Sequence, residues 1–256
     1  MNRTKNIHNS FKQHEAFLDD IITNFDTKGE DFGNQDRNSL KLFKIEDKTL
    51  NVKSFRVPNL INQLAYRFFR KSKSQRSFEY ANRLQSLGIG TPQPIAYYEY
   101  STPFLFNKSF YISEQLDCDL TYRELTTDFE YPNHEAILRA FTRFTYHLHE
   151  KQVKFLDHSP GNTLIRKVGD DYEFFLVDLN RMQFNPLDFE TRIGNFSKLT
   201  THESMIKTMS DEYAKCIGRN PEEVFSLMWK NTKDFQHRYW RRRRLKNKLL
   251  FWRSSK

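Results

Sequence analysis

Only two cysteines, Cys118 and Cys216, occur in the 256 residues of this chain. That is too few for a disulfide framework and their spacing suits no metal site, so a reducing compartment is implied. Equally absent is any run approaching the roughly 18 apolar residues that span a bilayer, and no apolar signal core follows the opening MNRTKN. The expectation is a cytoplasmic body without a membrane span. Glycine is scarce too, at eight residues. The stretch 31–38, DFGNQDRN, holds one glycine, Gly33, where a phosphate-covering loop would be rich in them. Acids are missing altogether from residues 238–256.

What is present is an ordered set of polar residues at the ends of short apolar runs. Residues 155–181 read FLDHSPGNTLIRKVGDDYEFFLVDLNR. Asp157 and Asn162 share one loop, and Asp178 closes the apolar run 174–177. Residues 162–166 and 172–177 read as two strands across a Gly169-Asp170-Asp171 turn, a hairpin that returns Asn162 and Asp178 to one end. A carboxylate that can take a proton, Asp157, with an amide and a second carboxylate offering oxygens to a metal, Asn162 and Asp178, is what phosphoryl transfer from Mg-ATP requires. Singly, each is a common turn former or cap. The order and spacing carry the reading.

Upstream, residues 39–45 and 50–55 read as strands across a Glu46-Asp47-Lys48 turn, with Lys53 in the second strand, placed to reach nucleotide phosphates. After a basic, Ser-rich connection at 70–76, residues 77–87 read as a helix stopped by Gly88. Glu79 falls early in it and is expected to pair with Lys53 and hold it extended. Their ordinary roles would be a solvated strand lysine and an acid favoured by the helix dipole.

With Lys53, Glu79, the Gly88-Ile89-Gly90-Thr91-Pro92-Gln93-Pro94 stretch, Asp157 to Asn162 and Val177-Asp178-Leu179-Asn180-Arg181, the chain resembles the lipopolysaccharide core kinases that phosphorylate Kdo or heptose. The resemblance implies an α+β, protein-kinase-like two-lobed fold: a small β-rich lobe over 1–112, a hinge and reduced helical lobe over 113–237, and a basic tail over 238–256. It implies ATP and Mg2+, with Asp157 as catalytic base, Lys53, Glu79 and Gly33 on the nucleotide, backbone groups of Glu114 and Leu116 at the adenine, and Asn162 and Asp178 on the metal. The implied reaction is transfer of the γ-phosphoryl group to a sugar hydroxyl of the lipopolysaccharide inner core by a monomer. Two departures stand out. Phe155-Leu156 precede Asp157 where many protein kinases have His-Arg, and Asn180 stands where they have Gly, a turn position that Asn tolerates.

Beyond Asp178 no long activation segment with Ala-Pro-Glu follows; helices are expected at 189–199, 201–217 and 221–238. That suits a small or glycolipid acceptor. A helix is also expected at 134–151, its aromatic residues packing rather than stacking on bases. His147 and His149 within it are two apart, do not face one another, and receive no metal role.

The formal net charge of +9 lies wholly in residues 238–256, whose nine basic residues leave 32 basic against 32 acidic in the rest. Leu245, Leu249 and Trp252 fall on one helical face, as in a helix lying on an anionic membrane. An anionic membrane surface at the cytoplasmic face of the inner membrane is therefore the first expected partner. A solvated terminus is the second reading; nucleic acid is not expected. Two rival functions stay open: a RIO-like atypical protein kinase, and an inactive kinase-like module docking through its tail.

Overall fold

The computed structural model describes residues 1–33 and 38–249, the last of these by its backbone alone. Part of the expected phosphate-covering loop, residues 34–37, and the end of the tail with Trp252 lie outside the described residues. The chain divides into two compact units. One holds Met1–Asp117 with Phe175–Arg181, the other Cys118–Phe174 with Met182–Lys256.

The first unit is a six-stranded sheet with helices. In chain order its elements are β1 (Asn2–Ile7), α1 (Glu15–Thr23), β2 (Glu30–Asp31), β3 (Asn38–Ile45), β4 (Lys48–Phe55), α2 (Leu60–Phe68), α3 (Lys73–Ser86), β5 (Pro94–Ser101) and β6 (Phe106–Glu114). The strand order is β1-β5-β6-β4-β3-β2, antiparallel between neighbours. Alternation makes β4 what it is: Leu50 and Val52 are buried to 0% exposure, while Asn51 and Lys53 point the other way. Leu18, Ile21 and Ile22 of α1 complete a core with Leu50, Val52, Tyr98, Phe110 and Ile112. Beside that core, Asp19 takes hydrogen bonds from Lys5 at 2.7 and 2.8 Å and from Tyr98 at 2.9 Å.

Helix α3 begins four residues before the expected start, because Ser72 caps it by accepting from the Gln75 amide at 3.1 Å. Its end is as expected. Gly88, at φ 66°, sends its amide to Gln85 and the buried Ile89 sends its amide to Leu84, both at 2.9 Å, which satisfies the last-turn carbonyls. The helix α2 was not expected from the sequence.

The second unit is largely helical. It contains β7 (Leu120–Thr121), α4 (Tyr122–Thr127), α5 (His134–Glu150), β8 (Val153–Phe155), β9 (Thr163–Val168), β10 (Asp171–Leu176, its last two residues counted with the first unit), β11 (Met182–Phe184), α6 (Phe189–Gly194), α7 (Glu203–Ile217) and α8 (Pro221–Leu249). The expected hairpin is present as β9 and β10, hydrogen-bonded neighbours in a sheet ordered β10-β9-β7, and β8 pairs with β11. The core joins Ile137, Leu138 and Phe141 of α5 to Ile206, Met209 and Tyr213 of α7 and Val224 and Met228 of α8. The helix expected over 189–199 is split into α6 and a 3-10 turn, Asn195–Lys198. The helix expected to end at residue 238 instead runs on to Leu249, with residues 237–248 exposed all round.

Candidate active site

In the first unit, the middle of β4 presents Lys53. Its register opposite Leu40 of β3 and Tyr111 of β6 fixes the backbone, and its ammonium donates to Asp178 Oδ1 at 2.7 Å. The ring of Phe55 lies 5.4 Å from the same ammonium. Asp178 is placed from behind by two bonds at the end of β10: the Leu176 amide donates to Gly90 O at 2.9 Å and Thr91 Oγ1 donates to Leu176 O at 2.8 Å. Leu179 is buried, and the nearly buried Asn180 gives its Nδ2 to Asp178 Oδ1 at 2.8 Å.

Two expectations are corrected here. Glu79 does not pair with Lys53. Starting α3 at Lys73 places Glu79 in the second turn, where it takes both bonds of the Lys71 ammonium, at 2.8 and 2.9 Å, and one from Gln75 at 3.0 Å. The carboxylate that holds Lys53 is Asp178. The left-handed residue of the turn is also Asp178, at φ 58°, and not Asn180. Asn180 supplies a side-chain bond instead, and a non-glycine residue held in that region by its neighbours is the kind of strain found at working sites.

Elsewhere in this unit, Gly33 has φ 66°, a conformation only glycine adopts freely. Glu114 ends β6; its side chain pairs with Lys48, its amide donates to Gln93 O at 2.9 Å, and the Gln115 amide donates to Thr49 O at 2.8 Å. The Leu116 carbonyl accepts the Gln115 side chain at 3.4 Å.

In the second unit, β8 runs into the loop of Asp157. The turn Pro160–Asn162 folds the loop on itself: the Asn162 amide donates to Ser159 O at 3.0 Å, and its Nδ2 to Asp157 O at 2.8 Å. That bond commits the nitrogen end of the Asn162 side chain and leaves the carbonyl oxygen as its acceptor end.

What replaces the missing His-Arg comes from residues the sequence reading passed over. Asn195 Nδ2 donates to Phe155 O at 2.8 Å, and Lys198 donates to Leu156 O while its ammonium stands 3.7 Å from Asp157 Oδ1. Asn195 is in turn held by buried His149, whose Nε2 donates to Asn195 Oδ1 at 3.2 Å while Nδ1 accepts from the Tyr213 hydroxyl at 2.8 Å. Burial pushes the His149 imidazole down to about 4, so it is neutral and can keep this tautomer. His158 lies stacked on Phe141, ring centres 5.3 Å apart, and donates Nε2–H to Thr145 at 3.3 Å. Burial pushes it down to about 3, and its Nδ1 is buried without a partner. A polar residue inside the apolar stripe of α5 (Phe141, Thr145, Leu148, His149) is the sequence signal for this role.

The first unit offers a fixed lysine on a strand and a carboxylate at a strand end, and the second a braced loop with a carboxylate and an amide oxygen, residue types that phosphoryl transfer uses. A family model described as lipopolysaccharide kinase (Kdo/WaaP) matches residues 36–215. Among solved structures, one described as WaaP in complex with acyl carrier protein superposes with a TM-score of 0.62 over 91% of this chain and 99% of that chain, at 15% identity. At that identity the likeness shows the shared fold. None of the curated proteins compared matches the sequence. With more than half of its residues inside the family model and the lysine, aspartates and asparagine in their expected elements, the chain belongs to the lipopolysaccharide kinase (Kdo/WaaP) family.

Proposed function

We propose that the protein transfers the γ-phosphoryl group of ATP to a hydroxyl of Kdo, or of heptose, in the lipopolysaccharide inner core. The observation that carries the reading is the ion pair between Lys53 and Asp178, joined by Asn180 on the same oxygen. It leaves Asp178 Oδ2 for a cation and keeps Lys53 extended where phosphate oxygens would replace or share Asp178. The oxygen donors fit magnesium: a carboxylate from Asp178 and, with its nitrogen committed to Asp157 O, the amide oxygen of Asn162. Bound there, Mg2+ would neutralise charge on the phosphates. Asp157 would accept the proton of the attacking sugar hydroxyl. Asn195 and Lys198 hold the peptide groups just before Asp157 and so set its direction. At the adenine, the Glu114 amide is committed to Gln93, so the donor in this segment falls to Leu116. The amide of Gly33 would meet phosphate. Glu79 has no nucleotide role in this arrangement, because its carboxylate is held by Lys71 and Gln75.

The short connection after Asp178 and the basic, exposed end of α8 support a glycolipid acceptor at the cytoplasmic face of the inner membrane, met through residues 238–256. No helix among the described residues is long and apolar enough to cross a membrane. The test is incubation with radiolabelled ATP, Mg2+ and a panel of Kdo-bearing lipid A, heptose-bearing core, free sugars and protein extract. Label on a core sugar is the expected result. Label on protein alone would favour a RIO-like kinase, and no label on any acceptor would leave an inactive module.

A further inference from the structure

Helix α2 is amphipathic but packs the wrong way round for a core helix. Asn59 caps it, accepting from the Asn62 amide at 3.0 Å, and Leu60, Leu64 and Phe68 recur every four residues with Ile61 beside them on the same face. Such a stripe normally turns inward. Here no residue of α2 is buried, and the other face makes the contacts. The Tyr66 ring meets Phe106 edge-on at 5.6 Å, and Arg67 Nε donates to Thr102 O and Pro103 O at 3.1 and 3.2 Å. The stripe is therefore left outward: Leu60 is 60% exposed, Ile61 78%, Phe68 52% and, just past the helix, Phe69 85%. The Arg67 bonds also tie this ridge to the loop that carries Phe104, itself 73% exposed. Isolated exposed apolar residues are ordinary, but a cluster of large ones on one short segment marks an interaction surface.

The charge around the ridge decides what covers it. Residues 56–76 contain Arg56, Arg67, Arg70, Lys71, Lys73 and Arg76 and no acid. Even with Lys71 paired to Glu79, a second copy of this chain would set five cations against five in a two-fold contact. The chain's own terminus is excluded by the same repulsion, since residues 238–256 bring nine basic residues and no acid. An acidic polypeptide answers the charge, but side chains as exposed as Ile61 and Phe69 call for an apolar medium without fixed shape. We infer that α2 is a membrane-docking ridge, its apolar face entering the acyl boundary of an anionic bilayer while the basic residues around it engage lipid phosphates. Long Arg and Lys side chains suit this, because their stems lie along apolar surface while their heads stay at the phosphate level. The surface lies wholly in the first unit, and its test reads insertion rather than turnover, so it and the kinase reading can fail separately.

The experiment uses the full chain carrying Cys118→Ser, Cys216→Ser and Ile61→Cys, the new thiol labelled with the fluorophore NBD. With vesicles containing phosphatidylglycerol the label should shift to the blue and become shielded from a water-soluble quencher; with pure phosphatidylcholine it should do neither. A label at Lys108→Cys should report water throughout. The triple variant Ile61→Ser, Leu64→Ser, Phe68→Ser should weaken partition onto the anionic vesicles at least tenfold while melting like the parent. The inference is overturned if the protein sediments with anionic vesicles while the label at position 61 stays in water. It is equally overturned by a shift that needs only protein concentration, which would indicate a second copy, or by one given by polyglutamate but not by vesicles.

Discussion

At the residue scale, the proposal gives each polar residue of the candidate site a distinct role, and conservative changes separate those roles. Asp178→Asn keeps the shape and an oxygen but removes the charge that Lys53 pairs with and that the proposed cation would need. It should lower phosphoryl transfer by on the order of a thousandfold or more while the chain melts normally. Full turnover with unchanged Mg2+ dependence would falsify the assignment. Lys53→Met should raise the ATP requirement and lower the rate, whereas Glu79→Gln should change either by no more than about twofold, because an exposed pair such as Glu79 with Lys71 contributes little. If Glu79→Gln were as damaging as Lys53→Met, the structure's choice of Asp178 as the lysine's partner would be wrong for the working enzyme. Lys198 acts through the loop. Lys198→Met should cut kcat about tenfold with ATP affinity unchanged, and Lys198→Arg should recover much of it, since a guanidinium can still reach the Leu156 carbonyl.

At the scale of elements, α5 carries a pH liability. His149 and His158 are neutral when folded, with their imidazoles pushed by burial from 6.5 to about 4 and about 3. Between pH 6.5 and those values the unfolded chain binds protons that the folded chain refuses, so stability is present above about 6.5 and drains away as pH falls through the window. Thermal melts from pH 7.5 to 4.5 should show a falling midpoint. His158→Phe should flatten the fall, because it removes one titrating ring and keeps the stacking on Phe141, with only the Thr145 bond lost. An unchanged slope in His158→Phe would show that the drop arises elsewhere. Elements also show where a sequence can be read. The β9–β10 hairpin and the end of α3 were legible because a turn and a glycine stop act over a few residues. The start of α3 was not, since Ser72 competes with other serines in a basic stretch.

On the scale of the whole molecule, the excess charge is concentrated at one end. If residues 238–256 lie on an anionic bilayer, truncation before Arg238 should weaken binding to phosphatidylglycerol vesicles and reduce activity on membrane-embedded acceptor far more than on a soluble sugar analogue. Raising salt should weaken binding by the full-length chain in the same direction, because the attraction is largely Coulombic. Equal vesicle binding by both forms would make the terminus a solvated helix. Within the described residues this end is a helix exposed on every side, with Tyr239, Trp240 and Leu245 each about half exposed, so nothing in its own unit buries it.

The sequence alone determined the family and the α+β kinase-like class, and it supplied the side-chain types proposed for the chemistry. Those depend on side-chain type and on the short spacing from Asp157 to Asn162 and from there to Asp178, which a hairpin fixes locally. Tertiary structure alone decided which carboxylate Lys53 meets, since Asp178 is 125 residues away along the chain. It likewise decided that a neutral His149, Asn195 and Lys198 brace the loop before Asp157, and that the apolar face of α2 looks outward. Partners across such distances are chosen by packing and by which polar groups must find a bond once water is excluded, and no local pattern of residues encodes that choice.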